Sequence, residues 1–325
     1  MAKTDNFYQL TPHVVLEALE SVGFTPNGYV TQLNSYENRV LSVGLEERGF
    51  YDEQLGTSTG VVTKFYRPGR WSREAIQDEH DFLVELKNEG IPAVPALRFE
   101  DGRTISEREG IFFAVFPKIA GRSPQEFLGD DLKQVGRRLA QIHNIGSRKF
   151  ARHRLSLTAD EFGEAALGVL ENWVSPELWD RYEASADEIL DYLHAELDPD
   201  DFIRIHGDCH RGNLLHDGKQ FFFVDFDDFV NGPPVQDFWM LFSGEQEEAD
   251  HDRDLILEGY EELRDIDERS LEWMSALRGL RIIHYAAWIA RRWEDPSFPK
   301  LFPHFNTYNY WLDETERLAR IAHGL

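Results

Sequence analysis

The spacing of apolar residues changes period several times along this chain. Near the start, Val15, Leu16, Leu19 and Val22 recur at three- and four-residue intervals and predict one face of a helix, with Thr11 as N-cap, Pro12 at its first position and Gly23 as its stop. The pattern then shortens. Tyr29 to Leu33, Arg39 to Val43, Gly60 to Tyr66, Val94 to Phe99, Arg103 to Ser106 and Gly110 to Phe116 are rich in β-branched and aromatic residues, lie between Asn, Gly and Asp turns, and read as strands. One helix interrupts them, from Ser72 as cap to Asn88, with Gly90 just beyond. The helical period returns at Leu132 to His143 and continues through Pro176 to Leu197, Asp252 to Leu263 and Leu271 to Trp293. Within this helical part, Phe202 to His206, Leu214 to His216 and Phe221 to Val224 read as strands, the last two joined by an Asp217-Gly218 turn. The expected architecture is α+β in two lobes: a sheet-rich N-lobe over residues 1–117 and a mainly helical C-lobe over 118–325.

Composition narrows the function classes. The 325 residues carry 34 basic and 59 acidic side chains, a net charge of −25. No local basic patch offsets that field, so neither nucleic acid nor an anionic membrane is an expected partner. No apolar run reaches the roughly 18 residues of a membrane helix, and the first ten residues lack the basic and apolar regions of a leader. The single cysteine, Cys209, forms no internal disulfide and fits a reducing compartment, so a cytoplasmic location is expected. The acidic run Glu245 to Asp254 reads as a solvated loop or helix end.

The most informative stretch is His206-Gly-Asp208-Cys-His-Arg-Gly-Asn213, with Asp225 twelve positions after the Asn at the end of an apolar strand. Phosphoryl transfer requires hard oxygen ligands for a divalent ion and a carboxylate to orient or deprotonate the attacking hydroxyl. An Asp five positions before an Asn on one loop, followed by a second Asp delivered by a hairpin strand, supplies that set. Two plainer readings stand beside it. Asp208 and Asn213 are also common turn formers, and His206, Asp208 and His210 have the composition of a transition-metal cluster. Cys209 reads as a small buried hydrophobe.

Lys64 sits inside the apolar strand Val61 to Tyr66, where an uncompensated charge is costly. Glu79, at the edge of the buried face defined by Ile76, Leu83 and Leu86 on the next helix, is its natural partner. Such a pair holds nucleotide phosphates in kinases, although a structural ion pair or a snorkelling lysine gives the same pattern. Between the first two strands, Leu33 to Arg39 contains no G-x-G-x-x-G. Asn34 and Asn38 tolerate left-handed backbone there, and Ser35 offers a hydroxyl to a phosphate, but an ordinary hairpin turn is an equal alternative. No P-loop motif occurs.

With these residues in view, the chain resembles the bacterial stress response kinase A family, serine/threonine protein kinases of the aminoglycoside phosphotransferase and choline kinase-like superfamily. The resemblance lies in LNSYENRV at 33–40, KFYRPGRW at 64–71, FFAVFPKIAGR at 112–122, HGDCHRGN at 206–213, VDFDDFVNGPPVQDFWML at 224–241 and RRWEDPSFPKLFP at 291–303. It implies a protein-kinase-like fold and ATP and Mg²⁺ as cofactors, with Asp208 as proton acceptor and Asp225 as the second catalytic carboxylate. Asn213 and Asp225 would bind the metal; Ser35 would contact ATP, and Lys64 would bind phosphate with Glu79 as its partner; the strand ending at Phe116 and the link Pro117 to Ile119 would hold the adenine by backbone hydrogen bonds. Asp237 would brace the catalytic loop. The family implies a stress-response role and a protein acceptor bearing Ser or Thr. A monomer is expected. Gly207 stands where protein kinases carry Arg, which argues against control by a phosphorylated activation loop. Two rivals are a kinase of small alcohols, whose cationic acceptors the acidic surface would attract, and a nucleotide-binding regulator without turnover.

Overall fold

The structure is a computed structural model and describes residues 7–33, 35–58, 60–242 and 246–325. The chain divides into two compact units, 1–128 with 151–154 and 211–227, and 129–150 with 155–210 and 228–325.

In the first unit, α1 (Pro12–Glu20) begins where Thr11 accepts the Val14 amide and Pro12 occupies the first turn. An antiparallel five-stranded sheet follows in the order β1 (Thr25–Gln32), β2 (Arg39–Glu47), β3 (Gly60–Phe65), β5 (Ile111–Pro117) and β4 (Ser106–Arg108). A single helical turn, α2 (Asp52–Leu55), precedes β3. Helix α3 (Arg73–Asn88) is capped by Ser72, which accepts from the Ala75 amide, and buries Ile76, Glu79, His80, Leu83 and Leu86 at helical spacing. Val94 to Phe99 is not a strand. Pro92 and Pro95 remove ladder donors there, and Leu97 makes one bond, from its amide to the Val115 carbonyl.

The unit does not end at Pro117. Arg122 bridges to His216, joining the segment after β5 to the hairpin of β7 (Leu214–His216) and β8 (Phe221–Phe223). The hairpin, foreseen as part of the helical lobe, therefore groups with the first sheet, and the boundary falls after Leu128.

The second unit contains α4 (Asp131–Gly146), α5 (Ala165–Leu170), α6 (Pro176–Glu196), α7 (Gln236–Trp239), α8 (Gln246–Glu261), α9 (Glu268–Glu272), α10 (Met274–Arg291), α11 (Phe298–Leu301) and α12 (Tyr308–Ala322). Its core packs α6, α10 and α12 around Tyr182, Ile189, Ile283 and Trp311. The strand expected over Phe202 to His206 is β6 (Ile203–Ile205), and it pairs antiparallel with an unforeseen β9 (Val230–Gly232). The stripe from Leu271 to Trp293 breaks at Trp273, where α9 ends and α10 begins. Part of the acidic run is helical in α8, while Glu245 lies outside the described residues. Among the described residues, no helix is long and apolar enough to cross a membrane.

Candidate active site

In the first unit, β3 carries Lys64 into the interior, where its side chain is 7% exposed. Three carboxylates converge on its Nζ: Asp227 at 2.8 Å, Asp225 at 3.4 Å and Glu79 at 3.5 Å. Burial by itself would lower the Lys64 pKa, but Asp227, Glu79 and Asp225 outweigh it and raise the pKa well above its ordinary value. Burial likewise opposes ionisation of Asp227, yet Lys64 and Arg70 hold its carboxyl well below the usual range. Arg70 reaches Asp227 at 2.6 Å, and Arg154 reaches Glu79 at 2.9 Å. Each buried charge thus has an opposite neighbour, the condition under which a charged cluster survives in a low-dielectric interior.

Sequence reading pairs Lys64 with Glu79 and sets Asp225 with Asp208 and Asn213; the contact of Asp225 with Lys64, and the roles of Asp227, Arg70 and Arg154, come from the structure. The run Asp225 to Asp228 holds three acidic residues around Phe226, and spacing does not show which of them turns inward.

Asn213 and Asp225 flank the open end of the hairpin. Leu214 pairs with Phe223, and the Val224 amide donates to the Asn213 carbonyl at 2.9 Å. Asp225 adopts φ of 60°, a left-handed conformation that Asp tolerates at modest cost, and its side chain is half exposed. The result is a pair of hard oxygen donors at one hairpin end, chemistry suited to a divalent cation.

The glycine-free turn before β2 is held by a different device. Ser35 Oγ accepts from the Asn38 amide at 3.3 Å, and Asn34 lies outside the described residues. Asn38 Oδ1 accepts from the Arg67 amide at 3.0 Å, while Arg67 Nε donates to the Glu37 carbonyl at 3.1 Å and pairs with its carboxylate at 3.0 Å. Side-chain anchors thereby restrict a turn that glycines usually shape. Phe116 lies in β5 opposite Val62, and Ile119 follows the strand, half-buried.

In the second unit, β6 leads into the loop that carries Asp208. Buried Asp237 accepts from the amides of His206 at 2.8 Å and Gly207 at 2.9 Å, and bonds His143 Nε2 at 3.1 Å. Gly207 has φ of +82°, and a Cβ there would lie 2.2 Å from the Asp228 carbonyl oxygen, so no larger residue fits without moving backbone. Arg281, on α10, donates from Nη2 to Asp208 Oδ1 at 2.7 Å. His210 Nε2 lies 3.5 Å from Asp208 Oδ2. Cys209 is buried, and burial pushes its thiol pKa well up.

A family model described as the phosphotransferase enzyme family matches residues 31–277. The chain belongs to the phosphotransferase enzyme family. The phosphotransferase is 36% identical to stress response kinase A of Escherichia coli over 313 residues, covering 95% of this chain and 92% of that one. The same identity and coverage relate it to the serine/threonine protein kinase RdoA of Salmonella typhimurium. Among solved structures it resembles the amicoumacin kinase hAmiN in complex with AMP-PNP, Ca²⁺ and Ami, with a TM-score of 0.77 at 17% identity, covering 97% of this chain and 94% of that one. A choline kinase from Streptococcus pneumoniae gives a TM-score of 0.62 at 15% identity, covering 96% and 99%. These likenesses show a shared α/β kinase-like fold.

Proposed function

We propose that this phosphotransferase moves the γ-phosphoryl of ATP to a serine or threonine hydroxyl of a protein, with Mg²⁺ as the divalent ion. The observation that carries the nucleotide reading is Lys64, a buried cation held by Glu79, Asp225 and Asp227 beside the Asn213 and Asp225 donors. Its protein acceptor is supported by the kinship with a relative named a serine/threonine protein kinase.

In this reading Lys64 neutralises nucleotide phosphate, Glu79 orients Lys64, and the turn with Ser35 contacts phosphate oxygens. Asn213 and Asp225 would hold the metal, which supplies charge neutralisation for the phosphates when bound. The strand ending at Phe116 and the link to Ile119 hold the base by backbone hydrogen bonds. Asp208 orients the acceptor hydroxyl and takes its proton as the new phosphate ester bond forms and the bond from the γ-phosphorus to the bridging oxygen breaks, releasing ADP. Most of the rate gain comes from positioning and charge compensation, because the protein forms no covalent intermediate. The stress-response role follows from the same kinship, and a cytoplasmic location from the single cysteine, Cys209, which forms no internal disulfide, and the need for ATP. A small-molecule acceptor is the second reading, favoured by structural neighbours named for amicoumacin and choline.

Incubation with labelled ATP, Mg²⁺, a generic protein acceptor and a panel of small alcohols separates the readings. Label on protein Ser or Thr is expected, and label confined to a small alcohol would overturn the protein acceptor.

A further inference from the structure

Helix α10 brings Arg281 to Asp208 and carries Arg278 three residues earlier. Arg281 is one-third exposed and donates one N–H to Asp208; among the described residues its guanidinium makes no other hydrogen bond. A guanidinium has five N–H donors in a planar fork, so most of its capacity is unspent. Arg278 stands three residues earlier on the same helical side and is exposed. It lies over the Trp239 ring at 5.7 Å, and no carboxylate pairs with it among the described residues. Trp239 donates to Gln236 at 3.2 Å, and Gln236 donates to the Gly207 carbonyl at 3.4 Å, which ties this aromatic platform to the residue preceding Asp208.

Arg281 thus pairs with Asp208, and Arg278 adds a second guanidinium on the same side of the helix. The chain carries a net charge of −25, yet this stretch of α10 carries two cations, one of them paired with Asp208, with Asp228 also close enough to act on His284 alongside Arg281. The long-range field attracts cations, but an acceptor must finally place its hydroxyl against Asp208, beside Arg281 and Arg278. Short-range pairing at a partly desolvated point outweighs the screened field of distant charges.

We propose that Arg281 and Arg278 select acceptors whose hydroxyl is flanked by acidic groups and disfavour acceptors with a cation at that place. Arg281 is also a positioning residue, since its bond fixes Oδ1 of Asp208, while His210 Nε2 lies 3.5 Å from Oδ2. The inference rests on Asp208 being the group that receives the acceptor hydroxyl.

The test is the ratio of kcat/KM values for three matched serine peptides whose flanking residues are acidic, neutral or basic. The wild-type chain is expected to favour the acidic over the basic peptide by roughly tenfold, within the range that rim charges confer. Arg278→Glu, at an exposed position, should collapse or reverse the ratio, and Arg281→Lys should retain its direction. A purely structural defect would lower all three values together and leave the ratio unchanged. Equal use of the three peptides by the wild type, or an unchanged ratio in Arg278→Glu, would overturn the inference. If only small alcohols are labelled, the same comparison between carboxylate-bearing and amine-bearing alcohols decides it. Full transfer by Asp208→Ala would instead overturn the underlying reading, whatever the ratio.

Discussion

At the residue scale, Lys64 and Asp227 depend on one another. Removing Asp227 leaves Lys64 and Arg70 short of a counter-charge in a place where water cannot replace it. Asp227→Ala is expected to destabilise the protein by about 3 kcal/mol, read as a lower denaturation midpoint in urea. A loss below about 1 kcal/mol would show that both cations relax to solvent. Two substitutions separate the catalytic roles. Asp208→Ala should reduce phosphoryl transfer about 10²-fold or more while nucleotide affinity is retained. Asp225→Asn should weaken metal-dependent ATP binding as well as the rate, and an unaltered Mg²⁺ dependence in titration would remove Asp225 from the metal site. Lys64 was legible in the sequence because a lysine in an apolar strand demands a partner, and Glu79 followed from helical spacing. Asp227 was not singled out, because the same run offered Asp225, and local pattern does not say which carboxylate turns inward.

At the element scale, the second unit shows how backbone contact sets helix packing. A Cβ on Gly136 of α4 would lie 2.0 Å from the Ile256 carbonyl oxygen of α8, and one on Gly259 of α8 would lie 2.1 Å from the Lys133 carbonyl oxygen of α4. The two helices approach so closely that each relies on a glycine in the other. Gly136→Ala is expected to cost about 3 kcal/mol despite alanine's better helix propensity, measured by thermal or denaturant unfolding. A neutral or stabilising effect would mean that α8 shifts freely. Periodicity located α4, but only the neighbouring helix gives its glycine a reason. Strand β9 escaped for a related cause: three residues, Val230 to Gly232, carry too little pattern, and their pairing with β6 comes from a segment distant in sequence.

At the scale of the whole molecule, buried histidines set the response to acid. His80 is 1% exposed and lies between Tyr66 and Thr104; burial, helped by Lys64 and Arg154, lowers its pKa to about 3. Burial also lowers the pKa of His143, against the pull of Asp237. Both bind a proton more readily unfolded, near pH 6.5, than folded, so their contribution is complete above that pH and is lost as pH falls toward the folded values. Each therefore contributes at most about 1.4 kcal/mol of lost stability per pH unit in that window. Unfolding free energy measured from pH 7.5 down to 4.5 should fall with net proton uptake, and a flat profile would contradict neutral buried imidazoles. The sequence by itself determined the reaction class, the alternation of strand and helix, and the residues able to bear charge, because spacing and polarity are local properties of a chain. Tertiary structure decided that Asp227 joins Lys64, that the hairpin belongs with the first sheet, and that Arg281 meets Asp208. Those outcomes depend on which segments exclude water from one another, and residues distant in the chain settle that together.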